Sequence, residues 1–182
     1  MQVASLAAKV PSPTPTQIPP TPTPDETAAW KVYTDPVNHY SIKYPPTMYI
    51  IPLDSSDPSS AGGFSVTTKP NATTWLDADP SNQPYYQIEV AADPASKDTL
   101  DSMAATFDQY KTRPDYTRTI YTLDGVQGFK VTNISLDSLT DAVYVFKDGV
   151  QYSVGYRRFD KAIDTEGQVI FNKILSTFKF TN

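Results

Sequence analysis

The stretch "NATTWLDADPSNQPYY", residues 71–86, crowds together side chains that could do chemistry. Asp77, Asp79 and Ser81 stand at positions one, three and five of a calcium-loop pattern. Asn82 occupies the sixth position, where the loop's sharp turn asks for glycine, and Ile88 the twelfth, where a bidentate glutamate closes the shell. The Asp-x-Asp-Pro run therefore reads as a turn, and no metal is expected. Trp75, Tyr85 and Tyr86 offer something else: flat apolar faces beside the polar edges of Asp77 and Asp79, which is how a sugar or peptide platform is built. Trp75, Asp77, Asp79, Tyr85 and Tyr86 form the candidate ligand-binding set. The competing reading is that Trp75 pins a long loop to the core.

Catalysis finds less material. Histidine occurs once, as His39, so a zinc site of histidines is out of reach and a Ser-His-Asp arrangement would have to use this residue. With no cysteine, thiol nucleophiles, disulfides and a lipidated N-terminal cysteine are all excluded from this chain. No Gly-x-Ser-x-Gly surrounds a serine, and the 7 glycines are scattered rather than gathered into a phosphate loop. Glycoside hydrolysis needs only two carboxylates, and 20 Asp+Glu are present, but spacing along the chain places no pair across a cleft. No catalytic residue and no cofactor is assigned. Lys+Arg number 15, the formal charge is −5, and no basic stripe exists beyond Arg157-Arg158, which excludes nucleic acid as a partner. Asn71-Ala72-Thr73 and Asn133-Ile134-Ser135 match the glycosylation acceptor pattern, which arises often by chance.

The elements that must position these groups are legible from periodicity. Tyr40, Ile42 and Tyr44 alternate with polar residues, and so do the runs Phe64–Thr68 and Tyr86–Val90; Met48 to Leu53 is a further apolar run. Four strands are thus expected before any helix. In "SKDTLDSMAATFDQYK", Leu100, Met103, Ala104, Phe107 and Tyr110 share one helical face, with Asp98 or Thr99 as cap and Lys111 near the negative end. Asp124-Gly125 and Asp148-Gly149 are type I′ hairpin signals. They join Thr117–Leu123 to Val126–Ile134 and Asp141–Lys147 to Val150–Arg157, a four-strand meander whose "AVYVF" run (142–146) is apolar on both faces. A second one-sided helix follows Asp164, carrying Ile170, Phe171, Ile174, Leu175 and Phe178; Gly167 near its start costs about 1 kcal/mol against alanine. Strands, helix, strands, helix is segregated α+β, an antiparallel sheet with helices packed on it.

Ahead of the domain stands "PSPTPTQIPPTPTP", with proline at 11, 13, 15, 19, 20, 22 and 24. Each proline deletes a backbone donor and drives its predecessor towards extended geometry, so residues 11–26 span on the order of 50 Å as a polyproline II spacer. The segment also fits an aromatic groove as a ligand, although its low complexity favours the spacer. Residues 1–29 are expected to be a disordered linker or the stub left by a removed anchor, and 30–182 a single globular domain. The apolar stretch within "MQVASLAAKV" is too short to span a bilayer.

The opening "WKVYTDPVNHYSIKYP" and the closing "ILSTFKF" resemble bacterial extracytoplasmic proteins of the PsbP-like type. The resemblance covers about residues 30–180. It implies an α-β-α sandwich around a twisted antiparallel sheet and a non-enzymatic assembly or binding role on the outer side of a membrane. It carries over no functional residue. Three functions are weighed: a tethered extracytoplasmic binding module, monomeric, whose partner is an envelope protein, peptide or glycan; an envelope polysaccharide hydrolase using a carboxylate pair; and a spacer-and-cap domain without small ligand. Membrane contact is expected only through an anchor that this chain lacks. An exposed aromatic-rich surface favours the first reading, a cleft with two carboxylates the second, and a featureless polar surface the third.

Overall fold

Alternation in the sequence becomes pleating in the structure. A computed structural model describes residues 25–51, 63–70, 85–134, 139–159 and 164–181. Along these the order is β1 (Lys31–Asp35), β2 (Tyr40–Tyr44), β3 (Tyr49–Ile50), β4 (Phe64–Thr67), β5 (Tyr86–Asp93), α1 (Leu100–Thr106) with a 3-10 turn Phe107–Tyr110, β6 (Thr117–Leu123), β7 (Val126–Thr132), β8 (Leu139–Lys147), β9 (Val150–Arg158), α2 (Asp164–Thr177) and β10 (Lys179–Phe180). The antiparallel strands divide between two sheets. One has three strands in the order β1-β2-β10, the other seven in the order β3-β4-β5-β9-β8-β7-β6.

Both Asp-Gly turns have the geometry their sequence requires. Asp124 and Gly125 sit at φ +44° and +83°, Asp148 and Gly149 at +52° and +82°, the paired left-handed conformation of a type I′ connection. The expected meander follows as β6-β7-β8-β9, and in β8 both faces are buried from Leu139 to Val145. One face of β8, with Ala142 and Tyr144, packs beneath α1 together with Phe129, Val131 and Ile134. The other, with Val143 and Val145, joins Phe171, Ile174 and Leu175 of α2, Tyr152, Val154 and Tyr156 of β9, and Tyr40, Ile42 and Tyr44 of β2. The two helices therefore lie on opposite faces of the seven-stranded sheet. α1 begins in a capping box: Thr99 Oγ1 accepts from Ser102 N at 3.1 Å, and Ser102 Oγ accepts from Thr99 N at 2.8 Å.

Three differences from the sequence reading have simple causes. β1 is an edge strand whose residues are mostly exposed, so no alternation announces it. The apolar run from Met48 pairs as strand only over Tyr49–Ile50, because Met48 N closes a turn on Pro45 O at 3.1 Å. Residues 52–53 of that run lie outside the described residues. The α1 stripe tightens into a 3-10 turn at Phe107, which keeps Tyr110 against Phe107 and Tyr116.

Gly167 changes meaning in the folded chain. A Cβ built there would stand 2.2 Å from the Tyr156 hydroxyl oxygen and 2.7 Å from Cζ, so the helix can approach the buried Tyr156 only without a side chain. Helix propensity alone gives Gly167→Ala a gain of about 1 kcal/mol. The packed geometry reverses the sign, with an expected loss of about 1–3 kcal/mol from overpacking, to be read from urea unfolding. Ile174→Ala, at 0% exposure in the same interface, should cost about 2–5 kcal/mol through transfer and cavity terms.

Candidate functional site

Of the sequence-derived ligand set, Tyr85 and Tyr86 are among the described residues. Trp75, Asp77 and Asp79 lie outside the described residues. Tyr85 and Tyr86 are buried, at 5% and 4% exposure, and their rings face protein: Tyr85 stacks on Phe159 at 4.3 Å between centroids, and Tyr86 tilts against Tyr156 at 5.9 Å. Tyr86 is the first residue of β5, where the period of two turns it inward. Burial pushes its hydroxyl pKa up to about 12, the effect of packing on an acid that would have to leave water to ionise.

Buried carboxylates are likewise occupied. Asp35 organises the β1–β2 turn, accepting from Val37 N and Asn38 N at 2.9 Å each and from the Asn38 amide at 3.0 Å. Asp141, 1% exposed, follows the register shift in β8 and accepts from Asn133 N at 3.1 Å and from the Gln168 amide of α2 at 2.8 Å. Glu89 pairs with Arg157 at 2.9 Å and stands across from Gly155, on the other face of the sheet. Asp141 and Glu89 do not flank a common cleft. Among the described residues no group of three or more His, Asp or Glu side chains could hold a metal ion.

A cleft of about 310 Å³ does exist, at the end of the molecule where turns meet. It is lined by His39 from the β1–β2 turn, Lys147 at the end of β8, Asp148 from the β8–β9 turn, Val150 and Tyr152 from β9, and Phe180 and Thr181 at β10. Its size falls at the low end of small-ligand sites. Positive φ at His39 (+51°) turns the backbone so that its carbonyl accepts from Thr181 N at 2.8 Å. The Tyr152 hydroxyl donates to Asn38 O at 2.9 Å, which ties the turn to the large sheet. Burial raises the Tyr152 pKa above the usual phenol value, so this donor keeps its proton. Tyr152, 4% exposed, supports the half-buried Phe180 edge to face at 5.1 Å, and the Phe180 ring on that support makes an aromatic floor. Lys147 lies 5.6 Å over the Phe180 ring and pairs with Asp148; that hydrogen bond raises the lysine pKa and keeps it cationic.

The arrangement suits a compact ligand with an apolar body and a polar or ionic end: the floor takes the first, and Lys147, Asp148, His39 and Thr181 the second. Asp148 is the single carboxylate among the lining residues. Sequence reading placed His39 at a turn near the first strand but did not connect it with Phe180, because 141 residues separate them in the chain (180 − 39). The signals available were the Asp-Gly turn beside Lys147 and the aromatic Phe178-x-Phe180 ending.

No protein-family model matches the sequence, and no curated protein matches it. Among solved structures the chain is similar to cyanobacterial PsbP (CyanoP) from Synechocystis sp. PCC 6803, at 11% identity over 84% of this chain and 93% of that one, with a TM-score of 0.49. It is also similar to LpqN, involved in cell envelope biogenesis of Mycobacterium tuberculosis, at 13% identity over 86% and 88% of the two chains, TM-score 0.43. A protein from Bacteroides thetaiotaomicron VPI-5482 shares 10% identity over 84% of this chain and 49% of that one, TM-score 0.37. A remote PsbP-like likeness over most of the chain is what these comparisons show, and it assigns no residue a role.

The cleft's outer wall depends on one carboxylate. Asp124, in the β6–β7 turn, accepts from Lys179 Nζ at 2.7 Å and from Phe180 N at 2.9 Å, which clamps β10 in place. The Lys179 hydrogen bond, then the Phe180 N–H, hold its pKa below the usual carboxylate value. A depressed folded pKa means the clamp is fully present above the unfolded value and is lost as pH falls through the folded one. Asp124→Asn, which tolerates the turn's positive φ, should therefore lower stability by about 1 kcal/mol or less at neutral pH, the pair being partly exposed. The difference from wild type should shrink as pH falls below about 4; urea unfolding at stepped pH reads it.

Proposed function

We propose that the chain is a non-catalytic binding module held outside the cytoplasm on its Pro/Thr spacer, and that the turn-end cleft takes an exposed part of an envelope peptide, protein or glycan. The observation that carries this reading is the aromatic floor of Tyr152 and Phe180 beneath a mixed-charge rim with one carboxylate. Aromatic faces with a few convergent polar groups are what recognition of such ligands uses. Hydrolysis of a glycoside by the paired-carboxylate route would ask instead for a second carboxylate across the cleft. The seven prolines between positions 11 and 24 support the spacer reading, since each removes a backbone donor and favours polyproline II geometry, which would give the module reach.

Binding is tested by titrating isotope-labelled protein with soluble peptidoglycan fragments carrying stem peptides, and in parallel with the glycan strands freed of peptide. Shift perturbations should gather at His39, Lys147, Phe180 and Thr181. Lys147→Ala should weaken them about tenfold, the scale of one lost cation–π and polar contact. Perturbations centred elsewhere would remove the cleft from the proposal, and release of reducing ends would replace it with the hydrolase reading. For the spacer, fluorophores at residues 5 and 34 should report a long, salt-insensitive distance distribution; a single short distance means that the tail folds back.

A further inference from the structure

We infer that β6 is a self-recognition edge, through which two copies of the chain pair their seven-stranded sheets antiparallel about Ile120. Among the described residues β6 terminates the large sheet and pairs on one side only, with β7, in unbroken register from Thr117↔Thr132 to Leu123↔Val126. The two-residue Asp124-Gly125 turn makes Leu123 and Val126 a hydrogen-bonded pair, and alternation then fixes the rest. Thr117, Thr119, Tyr121 and Leu123 spend their backbone groups on β7; Arg118, Ile120 and Thr122 turn theirs outward. Ile120 is 78% exposed. Proteins guard such edges with shortness, proline, bulges or charged side chains, lysine above all. The other edge strands follow that practice: β3 and β10 have two residues each, and β1 has five and opens on Lys31. β6 has seven, with no proline, no lysine and no bulge.

The occupant that fits is a second copy. Full overlap of the strand with itself places Ile120 opposite Ile120 of the second copy, Arg118 opposite Thr122, and Thr119 opposite Tyr121. No like charges meet. Position parity is kept, so each sheet face continues into the same face of its neighbour. The outward groups of Arg118, Ile120 and Thr122 then exchange about six backbone hydrogen bonds across the two-fold, with a β-branched pair at its centre. Arg118, the one charge in the strand, bonds Asp108 of its own chain at 2.8 Å, in the 3-10 turn that continues α1, and across the two-fold it meets no second cation. A contact of one strand falls short of the roughly 1,200 Å² of a stable complex, so the dimer is weak and depends on concentration.

Sedimentation of the full chain over a wide concentration range should show a reversible monomer–dimer equilibrium. Ile120→Lys sets two ammonium groups face to face on the two-fold, and Thr122→Lys sets one against Arg118. Each should raise the dissociation constant about tenfold or more, whereas Thr34→Lys on the exposed edge β1 should leave it unchanged. Because the chain has no cysteine of its own, Ile120→Cys should cross-link to itself under mild oxidation far faster than Thr34→Cys. A monomer at every concentration overturns the inference. So does an association that Ile120→Lys and Thr122→Lys leave intact, or one that Thr34→Lys weakens equally. An extended peptide added to this edge of an otherwise monomeric protein overturns it too.

Discussion

Pairing of β5 with β9 is the constraint on which the rest depends. Eight residues, Tyr86 to Asp93, run antiparallel to Arg158 to Gln151, and through them β3 and β4 are attached to the β6–β9 meander. The meander is local: each of its strands reaches the next through a short turn or loop. The β5–β9 ladder is not, since its partners stand more than fifty residues apart, Asp93 to Gln151 being the nearest (151 − 93 = 58). Its loop-closure cost is met by burial, with Ile88, Val90, Val154 and Tyr156 at 0–1% exposure. Tyr156 then becomes the surface on which α2 lands: its ring stacks on Phe171 at 5.7 Å and fills the space left by Gly167.

The small sheet is fastened to this frame by aromatic contacts rather than by shared strands. Tyr40 of β2 stacks on Phe178 at 5.5 Å, and Phe64 of β4 stacks on Tyr33 of β1 at 4.2 Å. Thr177 Oγ1 at the end of α2 accepts from Lys43 N at 2.9 Å, so a helix side chain also holds the β2 backbone. β10, immediately after α2, completes the small sheet on β2 and is clamped by Asp124 of the large one. The cleft is the by-product of that fastening, a gap where two sheets meet at their turn ends. Its lining therefore comes from two turns, the adjoining ends of β8 and β9 and the two-residue β10, while the rigid ladders behind them hold the geometry.

Much of the fold could be read in advance because its determinants are short-range. Asp124-Gly125 and Asp148-Gly149 state their turn type in two letters, and the Tyr40-Ile42-Tyr44 alternation states a buried face in five. The α1 and α2 stripes were legible for the same reason, since a period of 3.6 needs only one turn to repeat. β1 and β10 were not: the first is too exposed to alternate, and the second is two residues long and exists only because β2 offers it Tyr40 and Ser41. Tyr85 and Tyr86 show what short-range reading leaves open: an aromatic pair at a loop's end reads equally as platform or as packing, and in the fold Tyr85 stacks on Phe159 while Tyr86, placed by β5, tilts against Tyr156.

By itself the sequence determined the class of fold, the turn types, the two helical faces, and the absence of thiol chemistry in a chain with 0 cysteines and 1 histidine. Each follows from the residue type alone or from neighbours within a few positions. Tertiary structure decided what those residues face. It brought His39, Lys147 and Phe180 to one cleft, spent Asp35, Asp141 and Glu89 on turns and pairs, and converted Gly167 from a weak helix residue into the point of closest approach to Tyr156. It also left β6 at an edge with Ile120 in water. The reason is one of distance: propensity and periodicity act over a few residues, whereas burial and partnership are settled by ladders joining positions more than fifty apart.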